Sequence, residues 1–203
     1  MELETKPITE EEEPMVKEVV TAAALTLSQE NFTDLSDEQN KNRLLDSVKL
    51  AEAGYTGNPK DKGNWFQGKL IGTNHGVSAP ILAKWLGRAP TVSDMKKLSK
   101  KEANEIMWKD FGEKYKVEAL PRDLQEIVLH GVVNSRGHAI KVMQNLLGVE
   151  ADGSVGPNTL KAMQKAKFTK KDFKDALLRK YRTFGSWKDF GKGWTNRFER
   201  LAQ

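Results

Sequence analysis

A chain of 203 residues, 38% hydrophobic and 30% charged, can bury one core, or a core with a small appended module. It has no cysteine, which excludes disulfides and thiol chemistry, and no apolar run long enough to span a bilayer, which argues against stable membrane insertion. The net charge of +5 is unevenly divided: residues 1–40 hold eleven acidic and two basic side chains, a net of −9, so the remainder carries +14. A basic body suits a polyanionic partner. Zinc-finger spacing, an RNP-like aromatic pair and a basic zipper are all missing, so the expected partner is an anionic cell-envelope surface and not nucleic acid, with a merely solubilising surface as the rival reading.

In chain order, Glu10 to Glu13 followed by Pro14 predicts an acidic flexible tail over residues 1–13. Met15 to Leu27 predicts a first helix with the proline at its first turn. Ser36 to Ala53 predicts a second, opened by Ser36-Asp37-Glu38-Gln39 and stopped by Gly54. Glycine, proline and asparagine are dense over residues 54–78, where only brief strands fit, and one small β-hairpin is predicted from about Asn58 to Gly76. Helices follow at Ala79–Leu86, from Ser93 or Lys100 through Phe111, at Pro121–Val133, Asn134–Leu147, Pro157–Lys165, Lys170–Phe184 and Lys192–Leu201. The expected fold is mainly α, an α+β arrangement of a helical body with one hairpin. Of the five tryptophans, Trp65 in the hairpin is the one placed to stack on a ligand; Trp85, Trp108, Trp187 and Trp194 read as core.

Two carboxyls stand out. Leu45, Val48 and Glu52 fall at i, i+3 and i+7, so Glu52 continues an apolar stripe into the last predicted turn, beside unpaired carbonyls and the negative end of the helix dipole. Both burial and dipole favour the protonated form, as a general acid requires; the alternative is an ordinary helix-end residue that reaches solvent. Asp61, in a polar turn, is expected to stay ionised, though it also suits a plain Asx turn. An unlike carboxyl pair of this kind serves glycosidic bond cleavage. The three histidines His75, His130 and His138 form no H-E-x-x-H and no G-x-S-x-G is present, so neither a metal nor a serine nucleophile is expected, and no cofactor.

Glu52-Ala53-Gly54-Tyr55, Asn58-Pro59-Lys60-Asp61-Lys62-Gly63-Asn64-Trp65 and Gly72-Thr73-Asn74-His75-Gly76-Val77-Ser78 resemble the successive blocks of the glycoside hydrolase family 108 muramidases, lysozyme-like enzymes of bacteria and phage endolysins. Downstream, Ile106-Met107-Trp108, Leu120-Pro121, Asn134 with Ala139 and Gln144, Arg179-Lys180-Tyr181 and Gly193-Trp194 with Arg197 continue the likeness. Asp152-Gly153-Ser154-Val155-Gly156-Pro157-Asn158-Thr159 resembles the signature of the family's C-terminal peptidoglycan-binding region. The resemblance covers about Leu44 to Gln203. It implies a lysozyme-like catalytic region over 14–133 and a helical peptidoglycan-binding region over 134–203 packed on it. It places Glu52, Asp61 and Thr73 in the catalytic positions, and Tyr55, Trp65, Asn74, His75 and Asn134 against the sugar. Ala53 stands where the family has glycine, and His130 where it often has aspartate.

The implied activity is hydrolysis of the bond between N-acetylmuramic acid and N-acetylglucosamine in bacterial peptidoglycan, by a monomer. A lytic transglycosylase and a non-catalytic wall-binding protein remain open. The acidic N-terminus lacks the basic flank of a secretory signal. Synthesis in a host cytoplasm is therefore expected, with release to the periplasmic wall through a separate pore.

Overall fold

The computed structural model describes residues 35–48 and 54–203. The predicted tail, the predicted helix at 15–27, the end of the second predicted helix and Glu52 itself lie outside these residues. Residues 37–203 form one compact unit. Among the described residues no helix is long and apolar enough to cross a membrane.

The chain enters through α1 (Asp37–Val48) and, beyond a 3-10 turn at Lys62–Asn64, forms β1 (Trp65–Phe66), β2 (Lys69–Leu70), β3 (Thr73–Asn74) and β4 (Val77–Ser78). The expected single hairpin is in fact two, β1 with β2 and β3 with β4, both antiparallel. Each closes on a two-residue loop with positive φ at both positions, Gln67 at 47° with Gly68 at 76°, and His75 at 48° with Gly76 at 80°. Such turns match the twist of the flanking strands and favour tight hairpins over one long one.

Helix α2 (Ala79–Leu86) has the expected bounds. The predicted helix through Phe111 is three elements: α3 (Val92–Lys97), α4 (Lys100–Met107) and a π-helical segment, Trp108–Glu113. Capping boxes divide them, since Thr91 with Asp94 and Ser99 with Glu102 each start a new helix. A 3-10 turn at Val117–Ala119 leads to α5 (Arg122–Ser135), α6 (Gly137–Leu147), α7 (Pro157–Met163), α8 (Lys170–Tyr181) and α9 (Trp187–Leu201). Asn134 lies in the last turn of α5 instead of opening α6, and α9 starts five residues before the predicted Lys192.

Two cores result. The larger gathers Leu44, Leu45 and Val48 of α1 with the apolar faces of α5, α6 and α8 and with Trp108, Phe111 and Phe198. The smaller is built from Ile71, Val77, Ala79, Leu82, Met95, Leu98, Ala103 and Ile106. Ile81 and Met107 touch both. We call the parts around them the helical body and the hairpin lobe. The expected boundary between 133 and 134 falls inside α5, and residues on both sides of it fill the larger core.

Candidate active site

The loop from Asn58 to Trp65 is closed almost entirely by its own polar groups. Lys60 N donates to Asn58 Oδ1 at 3.0 Å, Asp61 N to Asn58 O at 3.1 Å, and the Asn64 Nδ2 to Asn58 O at 2.9 Å. The Trp65 indole N–H reaches back to Pro59 O at 2.9 Å. Asn64 is fully buried, and its carbonyl accepts from Ile71 N and Gly72 N, which docks the loop on the strand leading to Thr73. What this leaves outside is Asp61. Its Oδ1 accepts from Gly63 N at 2.8 Å as the N-cap of the 3-10 turn, and the exposed carboxylate has no other partner among the described residues.

Thr73 is half-buried in β3, and its backbone exchanges two hydrogen bonds with Thr56, at 2.8 and 2.9 Å. Thr56 is the fourth residue after Glu52 in the sequence. Tyr55 is 37% exposed, but its ring is fixed: the hydroxyl donates to Ile71 O at 3.3 Å, and Lys96 Nζ stands 5.0 Å from its centroid. Gly72, at φ 99°, is what admits that ring, because a Cβ there would lie 2.4 Å from Tyr55 Cε2.

Trp65 is 39% exposed with its N–H satisfied, which leaves ring surface open for stacking. His75 is exposed at the tip of the second hairpin. Asn74 has structural employment: it is 4% exposed and donates from Nδ2 to Met95 O at 2.8 Å, tying β3 to α3. Asn134 is half-buried in the last turn of α5. The structure thus groups Tyr55, Asp61, Trp65, Thr73 and His75 on the hairpin lobe and puts Asn134 on the helical body.

The signature block of the C-terminal region also turns inward. Gln144 of α6, fully buried, donates from Nε2 to Asp152 Oδ1 at 2.7 Å, Ser154 O at 2.8 Å and Thr159 Oγ1 at 3.1 Å, and its Oε1 accepts from Gly153 N at 2.8 Å. The hydrogen bond from Gln144, followed by that from Ser154 N, holds the Asp152 carboxyl below the usual carboxylate range.

Two buried titratable groups went unread as such in the sequence. His130, 4% exposed on α5, meets Ser47 of α1, with Nε2 3.3 Å from Oγ. Ser47 Oγ gives its proton to Leu44 O at 2.8 Å, so it accepts from the imidazole. Burial pushes His130 down to about 4; Glu126 opposes this, while Arg197 and Arg200 reinforce it. Asp110 in the π-helical segment is 5% exposed and paired with Lys84 of α2 and with Arg136, whose Nη1 is 2.9 Å from Oδ2. Burial raises its pKa, but the hydrogen bonds from Lys84 and Arg136 outweigh that and hold it below the ordinary value. No local pattern marks this pair, because each partner is 26 residues away.

Residues 45–135 match the model of glycosyl hydrolase 108, and residues 138–199 match that of a predicted peptidoglycan domain. No curated protein matches the chain. The solved structure of Brucella abortus SagA resembles it at 30% sequence identity and a TM-score of 0.69, over 81% of this chain and 92% of that one. With the lysozyme-like α+β fold, and with Asp61 and Thr73 on one small lobe inside the first matched segment, the chain belongs to the glycosyl hydrolase 108 family and carries a C-terminal peptidoglycan domain.

Proposed function

We propose that the protein is a muramidase that hydrolyses the β-1,4 bond between N-acetylmuramic acid and N-acetylglucosamine, acting as an endolysin. Glu52 protonates the leaving oxygen, Asp61 steadies positive charge or activates water, and Thr73 positions that water or the carboxylate. The observation that carries this reading is the state of Asp61. The side chains of Asn58, Asn64 and Trp65 are engaged within the loop, whereas the Asp61 carboxylate is exposed and held by a single backbone N–H. Chain reach supports the pairing: four residues separate Glu52 from Thr56, so their Cα atoms lie within about 14 Å, and Thr56 is hydrogen-bonded to Thr73. The Trp65 ring offers a face for a sugar. The C-terminal region keeps the enzyme on the wall, and release from the host cytoplasm depends on a separate pore.

The test is clearing of outer-membrane-stripped cells, beside a pull-down on purified peptidoglycan. Glu52→Gln keeps the shape and removes the transferable proton, and it should lower the rate at least ~10²-fold. An unchanged rate at equal folded protein removes Glu52 from the mechanism. Anhydro-muramic ends on the fragments, seen by mass spectrometry, would replace hydrolysis with lytic transglycosylation. Binding without clearing would leave a wall-binding protein.

A further inference from the structure

Asp110 is the one buried carboxylate among the described residues, and it stands where the two cores meet. Before it, Ala103 and Ile106 of α4 fill the smaller core; around it, Trp108 and Phe111 fill the larger. Its two oxygens face in different directions. Oδ1 takes Lys84 from α2, the helix that packs on β1 and on the 3-10 turn capped by Asp61. Oδ2 takes Arg136 from the junction of α5 and α6, within the helical body.

The local backbone is unusual on both sides of this contact. Asp110 sits in π-helix, a form that places one extra residue in the turn and that concentrates at functional positions. Arg136 holds φ 49° and ψ −121°, a conformation that a non-glycine residue keeps only when its surroundings enforce it. The enforcing contacts are visible: the guanidinium is paired with Asp110 and lies 4.7 Å from the Phe111 ring centroid. Both cations are partly exposed, 65% for Lys84 and 44% for Arg136, so neither is needed to fill a core.

We propose that Asp110 is a positioning residue: it clasps the hairpin lobe to the helical body and thereby sets where the Asp61 loop stands relative to α1. The topology makes this placement sensitive to the seam, because Asp61 belongs to the lobe and α1 to the body. The effect on catalysis rests on the muramidase reading; the effect on lobe geometry does not.

The absence of cysteine allows a clean distance measurement. Spin labels on Lys69→Cys in β2 and Lys161→Cys in α7, both exposed positions, report the separation of lobe and body. Asp110→Asn is compared with Lys84→Met, Arg136→Met and the double methionine variant. Because the two cations are partly exposed, the methionine variants keep a test available should Asp110→Asn not fold. The expected result is a broadened distance distribution in Asp110→Asn and in the double variant. With it, kcat falls about tenfold while KM stays within about twofold, a misplacement effect. A narrow, unshifted distribution with kcat unchanged, even with a lower Tm, would overturn the proposal and leave an ion network that only stabilises. If the parent protein clears no walls, the muramidase reading fails, and the distance distribution alone decides the clasp.

Discussion

The loops at 58–64 and 152–159 use one device to opposite ends. Each is a polar turn closed by a fully buried amide, Asn64 in the first and Gln144 in the second, and each contains an aspartate whose Oδ1 accepts a backbone N–H two residues on. In the second loop the buried amide also reaches the aspartate, so Asp152 is used up in holding the loop together. In the first loop Asn64 binds Asn58 instead, and Asp61 is left facing solvent. A carboxylate that the fold does not consume is available for chemistry; one that it consumes is a fastener. The D-G-x-x-G-P-x-T block therefore reads as scaffolding for the peptidoglycan domain, and its motif is not itself a display of free polar groups.

Removing the two amides should expose this difference most strongly. Gln144→Ala deletes four hydrogen bonds and orphans buried partners, and urea unfolding should show a loss of about 4 kcal/mol. Asn64→Ala deletes one side-chain bond and should cost about 1.5 kcal/mol, yet it frees the loop that carries Asp61 and should depress clearing in the protein that remains folded. If Gln144→Ala were the milder of the two, the assignment of scaffold and display would be reversed.

Acid tests the molecule between the loops. His130 is held at about 4 against 6.5 when exposed, chiefly by burial, so the unfolded chain takes up a proton over that interval and the native state does not. Stability should be flat above pH 6.5 and fall by about 3 kcal/mol as pH drops to 4. His130→Gln should flatten this window. What is left is the contribution of the carboxylates held below their ordinary range, Asp110 and Asp152 among them, which give stability that is present above that range and is lost below it. A wild-type curve that stays flat from pH 7 to 4.5 would mean that the imidazole reaches solvent.

Much of this architecture was legible, and the reasons for the misses are physical. Ala79–Leu86 was readable to the residue because an apolar run is bounded by Ser78 and by Gly87 in the left-handed conformation. The capping boxes at Thr91 and Ser99 are written in the sequence as S/T-x-x-D/E and separate α3 from α4. The paired positive-φ turns at Gln67-Gly68 and His75-Gly76 likewise carry the signal for two hairpins. The break at Arg136 was not legible, since arginine has no preference for its conformation and the contacts that fix it, Asp110 and the Phe111 ring, are far away in sequence. The site was read more fully than its supports. Family-like blocks single out Asp61 and Thr73, but whether Asn74 faces sugar or Met95 depends on packing between β3 and α3, which no local pattern encodes.

Exchanging the aspartates themselves is the next step down in effect. Asp61→Asn should lower the clearing rate about tenfold, with the unfolding midpoint unchanged, because its side chain makes one exposed hydrogen bond. Asp152→Asn should do the reverse, lowering Tm while each folded molecule clears at the parent rate. A loss of rate in Asp152→Asn at full stability would put the second loop in contact with substrate.

The smallest contrast lies in the glycines that follow each aspartate. A Cβ at Gly63 would stand 3.2 Å from Asp61 Oδ1 and 3.5 Å from Ser78 Cβ, on a backbone that any residue adopts. The contact falls on the exposed carboxylate oxygen that caps the turn, which is able to rotate away at the loss of its one hydrogen bond, so Gly63→Ala should leave stability within about 0.5 kcal/mol and lower the rate only severalfold. Gly153 has φ 85°, and a Cβ there would meet Gly137 O at 3.2 Å and the Lys141 side chain at 3.1 Å. Strain at that position has no outlet, because Gly153 N is bound to Gln144, so Gly153→Ala should cost about 1 kcal/mol and leave the rate alone. Paired urea titrations and clearing assays check both; equal effects from the two alanines would show that the first loop is as closed as the second and that Asp61 is not free to work.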